Sequence, residues 1–191
     1  MMLDLQQLGC HNINFVTPTH YVAQIVQALP RAIDGGLSVP LVYNTSGYDS
    51  VEVIRLLEGI FDIYMPDIKF LDAGVSAKYC QASNYPVIVS EAVKEMHRQV
   101  GDLLIGEDGI ARRGILFRHL VMPGLSTDTA KVLDFIAGEI SLRSYVNIMA
   151  QYHPCHRALD FPEIYRGPTR TEYEGALEHA KSIGLIRASR Y

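Results

Sequence analysis

The chain has 191 residues, 48% hydrophobic and 20% charged, with a formal net charge of -4. That length buries a real core, and the balance excludes a disordered, collagen-like or coiled-coil chain. The small acidic charge lacks the basic patch a phosphate backbone needs, so no nucleic-acid partner is expected. The longest apolar runs, such as Gly114 to Met122, fall far short of a bilayer span, and Met1-Met2-Leu3-Asp4 leads into glutamines rather than a secretory signal. A soluble, cytoplasmic protein without a membrane partner is expected.

Strand-like and helix-like segments alternate along the chain. Leu3 to Leu8 reads as the end of a helix stopped by Gly9, and Asn12 to Val16 as a short buried strand. A helix over Tyr21 to Leu29 carries Val22, Ile25, Val26 and Leu29 on one face and is broken or kinked at Pro30. Val39 to Tyr43 is the next strand. Ser50 caps a helix bearing Val51, Ile54 and Leu57, which stops at Gly59. Phe61 to Met65 is a strand, followed by a short helix near Ala73 to Cys80 and a longer one over Val87 to Val100. A Glu107-Asp108-Gly109 turn implies a hairpin whose second arm becomes the strand Gly114 to Val121. A helix from about Thr127 to Ile140 and a strand from Tyr145 to Ala150 follow. The remainder is a proline-marked loop, then a helix opened by Thr171 and Glu174 as a capping box.

Repeated strand–helix units with continuous apolar strands predict an α/β fold with a helix-covered parallel sheet, open or barrel-like. With no linker or composition break, residues 1–191 are expected to form a single domain, 154–191 being a C-terminal extension with a helix.

Five strands end in polar residues: Thr17, Thr19 and His20; Asn44, Thr45 and Ser46; Asp67 and Lys69; Arg118 and His119; Gln151 and His153. The carboxyl ends of parallel strands form the ligand-binding rim of such folds. Individually, a Ser or Asn there caps a helix and a lone His is structural; five in succession point to a functional rim. Lys69, Arg118 and His153 suit a carboxylate. Asp67 suits an ammonium or sugar hydroxyls, or a pair with Lys69 across one strand face. Together they would suit a zwitterionic small molecule with a polar sugar. Neither a dinucleotide or Walker phosphate loop nor a Gly-x-Ser-x-Gly elbow occurs. Cys10, Cys80 and Cys155 lie roughly seventy residues apart, without a Cys-x-x-Cys pair, and read as reduced thiols in or near the core. His153-Pro154-Cys155-His156 is too tight to wrap a zinc alone.

Four motifs, Tyr43-Asn44-Thr45-Ser46-Gly47-Tyr48, Met65-Pro66-Asp67-Ile68-Lys69, Phe117 to Gly124 (FRHLVMPG) and Gln151-Tyr152-His153-Pro154, carry a resemblance. With Gly9 to His20 (GCHNINFVTPTH), they resemble the radical S-adenosylmethionine activating enzymes, in the branch related to pyruvate formate-lyase activating enzyme. The resemblance covers nearly the whole chain, in the family's motif order. It implies a partial (β/α) barrel binding S-adenosylmethionine at its rim, with Thr17, Pro18 and Thr19 at the amino-acid end. Asn44, Thr45, Ser46, Asp67, Lys69, Arg118 and His153 complete the implied cofactor-binding set. It also implies reductive cleavage of S-adenosylmethionine, with a protein substrate such as a glycyl-radical enzyme and a reductant such as flavodoxin or ferredoxin.

The departure is the family's Cys-x-x-x-Cys-x-x-Cys loop, which holds a [4Fe-4S] cluster and does not occur in these 191 residues. The first βα unit is expected to be missing, an exposed apolar sheet edge is expected to result, and the chain as it stands is expected to be inactive. A non-catalytic S-adenosylmethionine-binding module is the second reading. The third is a metal-dependent barrel enzyme using His20, Asp67, His119 and His153.

Overall fold

The computed structural model describes residues 1–190. Its core is one sheet in the order β1-β2-β3-β5-β6-β7, with β4 paired to β5 off that path. The strands are β1 (Ile13–Val16), β2 (Leu41–Thr45), β3 (Ile63–Pro66), β4 (Leu104–Ile105), β5 (Ala111–Leu120), β6 (Tyr145–Met149) and β7 (Ala188–Arg190). Every pairing along the path is parallel; only β4 runs antiparallel. Parallel neighbours need crossovers, supplied by helices α2 (Val22–Asp34), α3 (Val51–Leu56), α4 (Ala73–Cys80), α5 (Tyr85–Val100), α6 (Ser126–Phe135) and α7 (Arg170–Ser182), after a first helix α1 (Met2–Gln7). The path ends at β1 and β7 rather than closing, which gives the expected α/β parallel sheet of a partial barrel. No described helix is long and apolar enough to cross a membrane.

Strand alternation divides the side chains between two faces. Tyr43, Tyr64, Ile115, Phe117, Val146 and Ile148 turn to the helical side and are buried in the main core with Val89, Val93 and Met96 of α5 and Val132 and Leu133 of α6. The opposite face carries Val42, Ile63, Met65, Leu116 and Tyr145, plugged by Leu103 in a small separate cluster. One turn further along the same face stand Asn44 and Arg118. The helices therefore cover one side, and the polar rim belongs to the other.

Several expectations are corrected. Helix α2 runs through Pro30 to Asp34, with Pro30 on the exposed side of the helix, away from the sheet. Helix α5 starts at Tyr85, with Pro86 in its first turn. The helix after β5 widens into a π-turn over Ile136–Ile140, closed by the Ser141 N–H on the Ile136 carbonyl at 2.9 Å. The capping box of α7 is Thr169 with Glu172, not Thr171 with Glu174; Glu174 instead pairs with Arg170. Strand β7 is an addition that the sequence pattern does not announce. Cys80 and Cys155 are exposed rather than in or near the core, and Cys10 is half-buried. The expected hairpin forms, with Gly109 N–H donating to the Gly106 carbonyl at 2.9 Å. At the β1 edge of the sheet Val16 is 68% exposed.

Candidate functional site

The parallel register brings the carboxyl ends of β1, β2, β3 and β5 side by side. Beyond β3, Asp67 forms a bridge with Arg118 of β5. The Arg118 Nε donates to Asp67 Oδ1 at 2.7 Å, and its Nη2 donates to Asn44 Oδ1 at 2.9 Å. Lys69 Nζ, two residues along from Asp67, donates to Asp67 Oδ2 at 2.8 Å. One carboxylate thus holds two cations, and the planar guanidinium spans three strand ends. Side-chain exposures of 19% for Asp67, 27% for Arg118 and 41% for Lys69 leave the group open to a ligand.

Side chains of alternate parity serve a different purpose. Asp49, only 2% exposed, accepts from Thr19 at 2.7 Å, from the Tyr43 hydroxyl at 3.0 Å and from Thr45. Burial, with the Asp49 charge beside it, pushes the Tyr43 hydroxyl far up, so it remains a donor. Thr19 and Thr45 therefore turn to Asp49, and they brace the β1 and β2 ends instead of lining the Asp67 network. Thr17 adopts a left-handed conformation (φ 53°) as its N–H reaches the Asn44 carbonyl at 2.8 Å, and Pro18 is buried. The Ser46 side chain receives only a long contact from the Tyr48 N–H, at 3.5 Å.

The Tyr85 hydroxyl, at the start of α5, is a second brace. It lies 2.9 Å from the Ser46 carbonyl and 3.1 Å from the Asp67 carbonyl, and it accepts the Lys69 N–H at 3.0 Å. Burial pushes it well above the usual tyrosine range. Asp49 and Tyr85 are not visible as site residues in the sequence: one reads as a turn residue before a cap, and the other falls just ahead of the helix expected from Val87.

His119 does not belong to the rim. Its parity is opposite to that of Arg118, so it is buried on the helical side. There Nδ1 lies 2.8 Å from the Ile68 carbonyl and Nε2 lies 3.0 Å from Thr129 Oγ1. The first contact needs a proton on Nδ1 and the second is satisfied by the Thr129 hydroxyl, which describes a neutral imidazole. Both nitrogens are engaged, so the metal set His20, Asp67, His119 and His153 loses a member; among the described residues no three His, Cys, Asp or Glu side chains converge as a metal site. Burial lowers the His119 pKa below its ordinary 6.5. A base whose folded pKa is depressed contributes stability above the unfolded value, and that stability is lost as pH falls below it. Unfolding measured from pH 7.5 to pH 5 should show stability falling with acid by up to about 1.4 kcal/mol per pH unit from this group. The His119→Gln variant should have a flatter profile below pH 6.5; an unchanged profile would contradict the neutral assignment.

Beyond β6, Gln151 and His153 are exposed. His153 and Lys69 both line a cavity of about 240 Å³, whose roof is largely the 152–164 segment and whose apolar wall includes Phe70, Leu120 and Phe161. Glu163 pins that roof by accepting from Lys78 and from the Tyr79 hydroxyl, while Tyr79 packs edge-on to Phe161 at 5.2 Å. The structure thus joins Asn44, Asp67, Lys69 and Arg118 by direct hydrogen bonds and brings His153 to them through this shared cavity.

No family model matches the chain. It is 33% identical over 177 residues to the uncharacterised protein MJ0674 of Methanocaldococcus jannaschii, a match covering 91% of this chain and 47% of that protein. The chain therefore spans about half the length of the curated relative it matches. Among solved structures it resembles a crystal structure of a domain of pyruvate-formate lyase-activating enzyme from Bacteroides vulgatus, with TM-score 0.63 and 12% identity over 94% of this chain and 97% of that one. At that identity the likeness is one of fold, and the fold is that of the activating-enzyme domain.

Proposed function

We propose that this chain binds S-adenosylmethionine at the rim formed by the ends of β1, β2, β3, β5 and β6, as part of a radical S-adenosylmethionine protein of the activating-enzyme type. The observation that carries the reading is the Asn44–Arg118–Asp67–Lys69 network at adjacent strand ends, in a fold shared with the activating-enzyme domain. A zwitterion with a polar sugar needs both signs of charge and neutral hydrogen-bonding groups close together, and this network supplies them. Lys69, the most exposed member, turns toward a ligand carboxylate while Arg118 keeps Asp67 paired. The Thr17-Pro18-Thr19 turn takes the amino-acid end. His153 approaches from the cavity, whose apolar wall suits a nucleoside base.

In a complete radical S-adenosylmethionine enzyme the cofactor supplies the hydrogen-abstracting group and a [4Fe-4S] cluster supplies the electron. The described residues do not fit such a cluster: Cys10, Cys80 and Cys155 lie on separate segments, and no three metal-ligating side chains converge. The residues of this chain therefore bind and orient; no redox step is assigned to them. A protein substrate such as a glycyl-radical enzyme, and a flavodoxin- or ferredoxin-like reductant, belong to the proposed activity of a longer protein.

Calorimetric titration of the 191-residue chain with S-adenosylmethionine tests the reading. Wild type is expected to bind, and Asp67→Ala to lose binding by at least tenfold, because it removes the anionic acceptor offered to the ligand's ammonium or sugar hydroxyls and the anchor that holds Arg118 and Lys69 in place. Absence of binding by wild type would end the reading. Anaerobic iron and sulfide reconstitution is expected to give no stable cluster, and cluster formation with cofactor cleavage would overturn the assignment of a binding role alone.

A further inference from the structure

Among the described residues two side-chain polar atoms are buried without a hydrogen-bond partner, Ser144 Oγ and Asn147 Oδ1. Protein interiors seldom leave such atoms unpaired, and each instance calls for a reason. Ser144 precedes β6, at the end of the sheet away from the rim. Asn147 stands elsewhere. It lies on β6 in register with Arg118 of β5, which in turn bridges to Asp67 beyond β3. Asp67, Arg118 and Asn147 thus form one row across three neighbouring strands, on the face that also carries Asn44.

The row is unevenly satisfied. Arg118 directs its hydrogen bonds to Asp67 and Asn44, and Asp67 takes Arg118 and Lys69. None of these donors serves Asn147. Below the row, Leu116 and Tyr145 occupy the preceding positions on the same face and pack into the small apolar cluster with Leu103 and Ile63. Above it lie the rim and the cavity shared by Lys69 and His153. The unpaired carbonyl therefore sits between an apolar floor and the polar opening.

We infer that Asn147 is a ligand-contacting residue, whose carbonyl accepts an N–H or O–H from the nucleoside end of bound S-adenosylmethionine. The inference rests on the cofactor reading given above. With the ligand carboxylate at Lys69, beyond β3, β6 stands two strand spacings away, roughly 10 Å across the sheet. Only the far end of a ligand laid along the rim reaches that strand, and in this ligand that end carries the sugar hydroxyls and the base amine.

The test pairs binding with stability. Asn147→Leu keeps the volume and removes the unpaired amide, while Asn147→Asp keeps an acceptor at the same place. Without ligand, Asn147→Leu is expected to unfold at the same or a higher temperature than wild type. By calorimetry its affinity for S-adenosylmethionine should fall about tenfold, the loss of one hydrogen bond to a buried group, whereas Asn147→Asp should stay within about threefold of wild type. Methylthioadenosine, which lacks the amino-acid end, should lose the same factor on Asn147→Leu. Equal affinities for wild type and Asn147→Leu would overturn the inference alone. So would a loss confined to S-adenosylmethionine and absent for methylthioadenosine, or a lowered unfolding temperature with unchanged affinity. A wild type that binds neither compound would overturn the rim reading, and the inference with it.

Discussion

Replacing Arg118 by alanine is expected to weaken S-adenosylmethionine binding at least tenfold while costing the fold at most about 2 kcal/mol. The asymmetry follows from what the side chain leaves behind. Removing one partner of a fully buried pair costs about 3–5 kcal/mol, because an unpaired charge remains in a low-dielectric interior. Here Asp67 is 19% exposed and Arg118 27%, and Asp67 keeps Lys69 at 2.8 Å, so the residual carboxylate is still compensated and partly solvated. The stability term is therefore small. The binding term is larger, because Lys69 becomes the sole counter-ion of Asp67 and is no longer free to meet a ligand carboxylate. Arg118→Lys separates charge from shape. A lysine ammonium is a point charge and cannot reach Asp67 Oδ1 and Asn44 Oδ1 with the in-plane fork that Arg118 uses. Its affinity should lie closer to that of Arg118→Ala than to that of wild type. An Arg118→Lys protein that binds within twofold of wild type would show that the net positive charge, and not the bridge to Asn44, makes the site.

The same network shows which parts of the site can be read from a sequence. Polar residues following apolar strands are legible, because strand ends in a parallel sheet share one rim whatever the intervening helices do. That reasoning reaches Asn44, Asp67, Lys69 and Arg118. It stumbles at Arg118-His119, where both residues read as rim groups. A strand sends neighbours to opposite faces, and only knowledge of which face the helices cover assigns Arg118 to the opening and His119 to the core. Thr19 and Thr45 fail for a related reason: both are at strand ends, but their hydroxyls turn to Asp49, whose burial is not written in the turn that contains it. Tyr85 and Asn147 are invisible for lack of locality. Tyr85 reaches loops that follow β2 and β3 from the first turn of a helix, and Asn147 gains meaning only from its register with Arg118.

Element ends show the same competition between local and tertiary chemistry. Thr169-Arg170-Thr171-Glu172 and Thr171-Glu172-Tyr173-Glu174 both satisfy the capping-box pattern. The first wins because Glu172 also accepts the Gly124 N–H at 2.7 Å and pairs with Arg166. Strand β7 has three residues and exists only as a parallel partner to β6, so no apolar run marks it. The two exposed cysteines depart from the usual burial of free thiols because both stand at segment ends around the cavity mouth.

Gly47→Ala is expected to be the most damaging single-methyl change at the site, destabilising the protein by roughly 3–4 kcal/mol. Gly47 holds φ +77°, which an L-residue adopts at a penalty of about 1–2 kcal/mol. An added Cβ would also stand 2.7 Å from the Asp67 carbonyl oxygen and 2.6 Å from Val89 Cγ2. The backbone oxygen cannot swing aside, since the Tyr85 hydroxyl holds it at 3.1 Å and Tyr85 in turn fixes Lys69. Relief must come from displacing the β2 loop, which moves Ser46 and the strand end carrying Asn44 away from Arg118. Gly59→Ala is the matched control: Gly59 has φ +79°, but a Cβ there meets nothing within 4 Å. It should lose only the conformational penalty, about 1–2 kcal/mol, and keep wild-type ligand affinity. Urea unfolding of both variants, with S-adenosylmethionine titrations alongside, separates the two contributions. The difference in stability between them measures the clash of the β2 loop with the Asp67 backbone, and a difference near zero would mean that this close approach does not set the geometry of the rim.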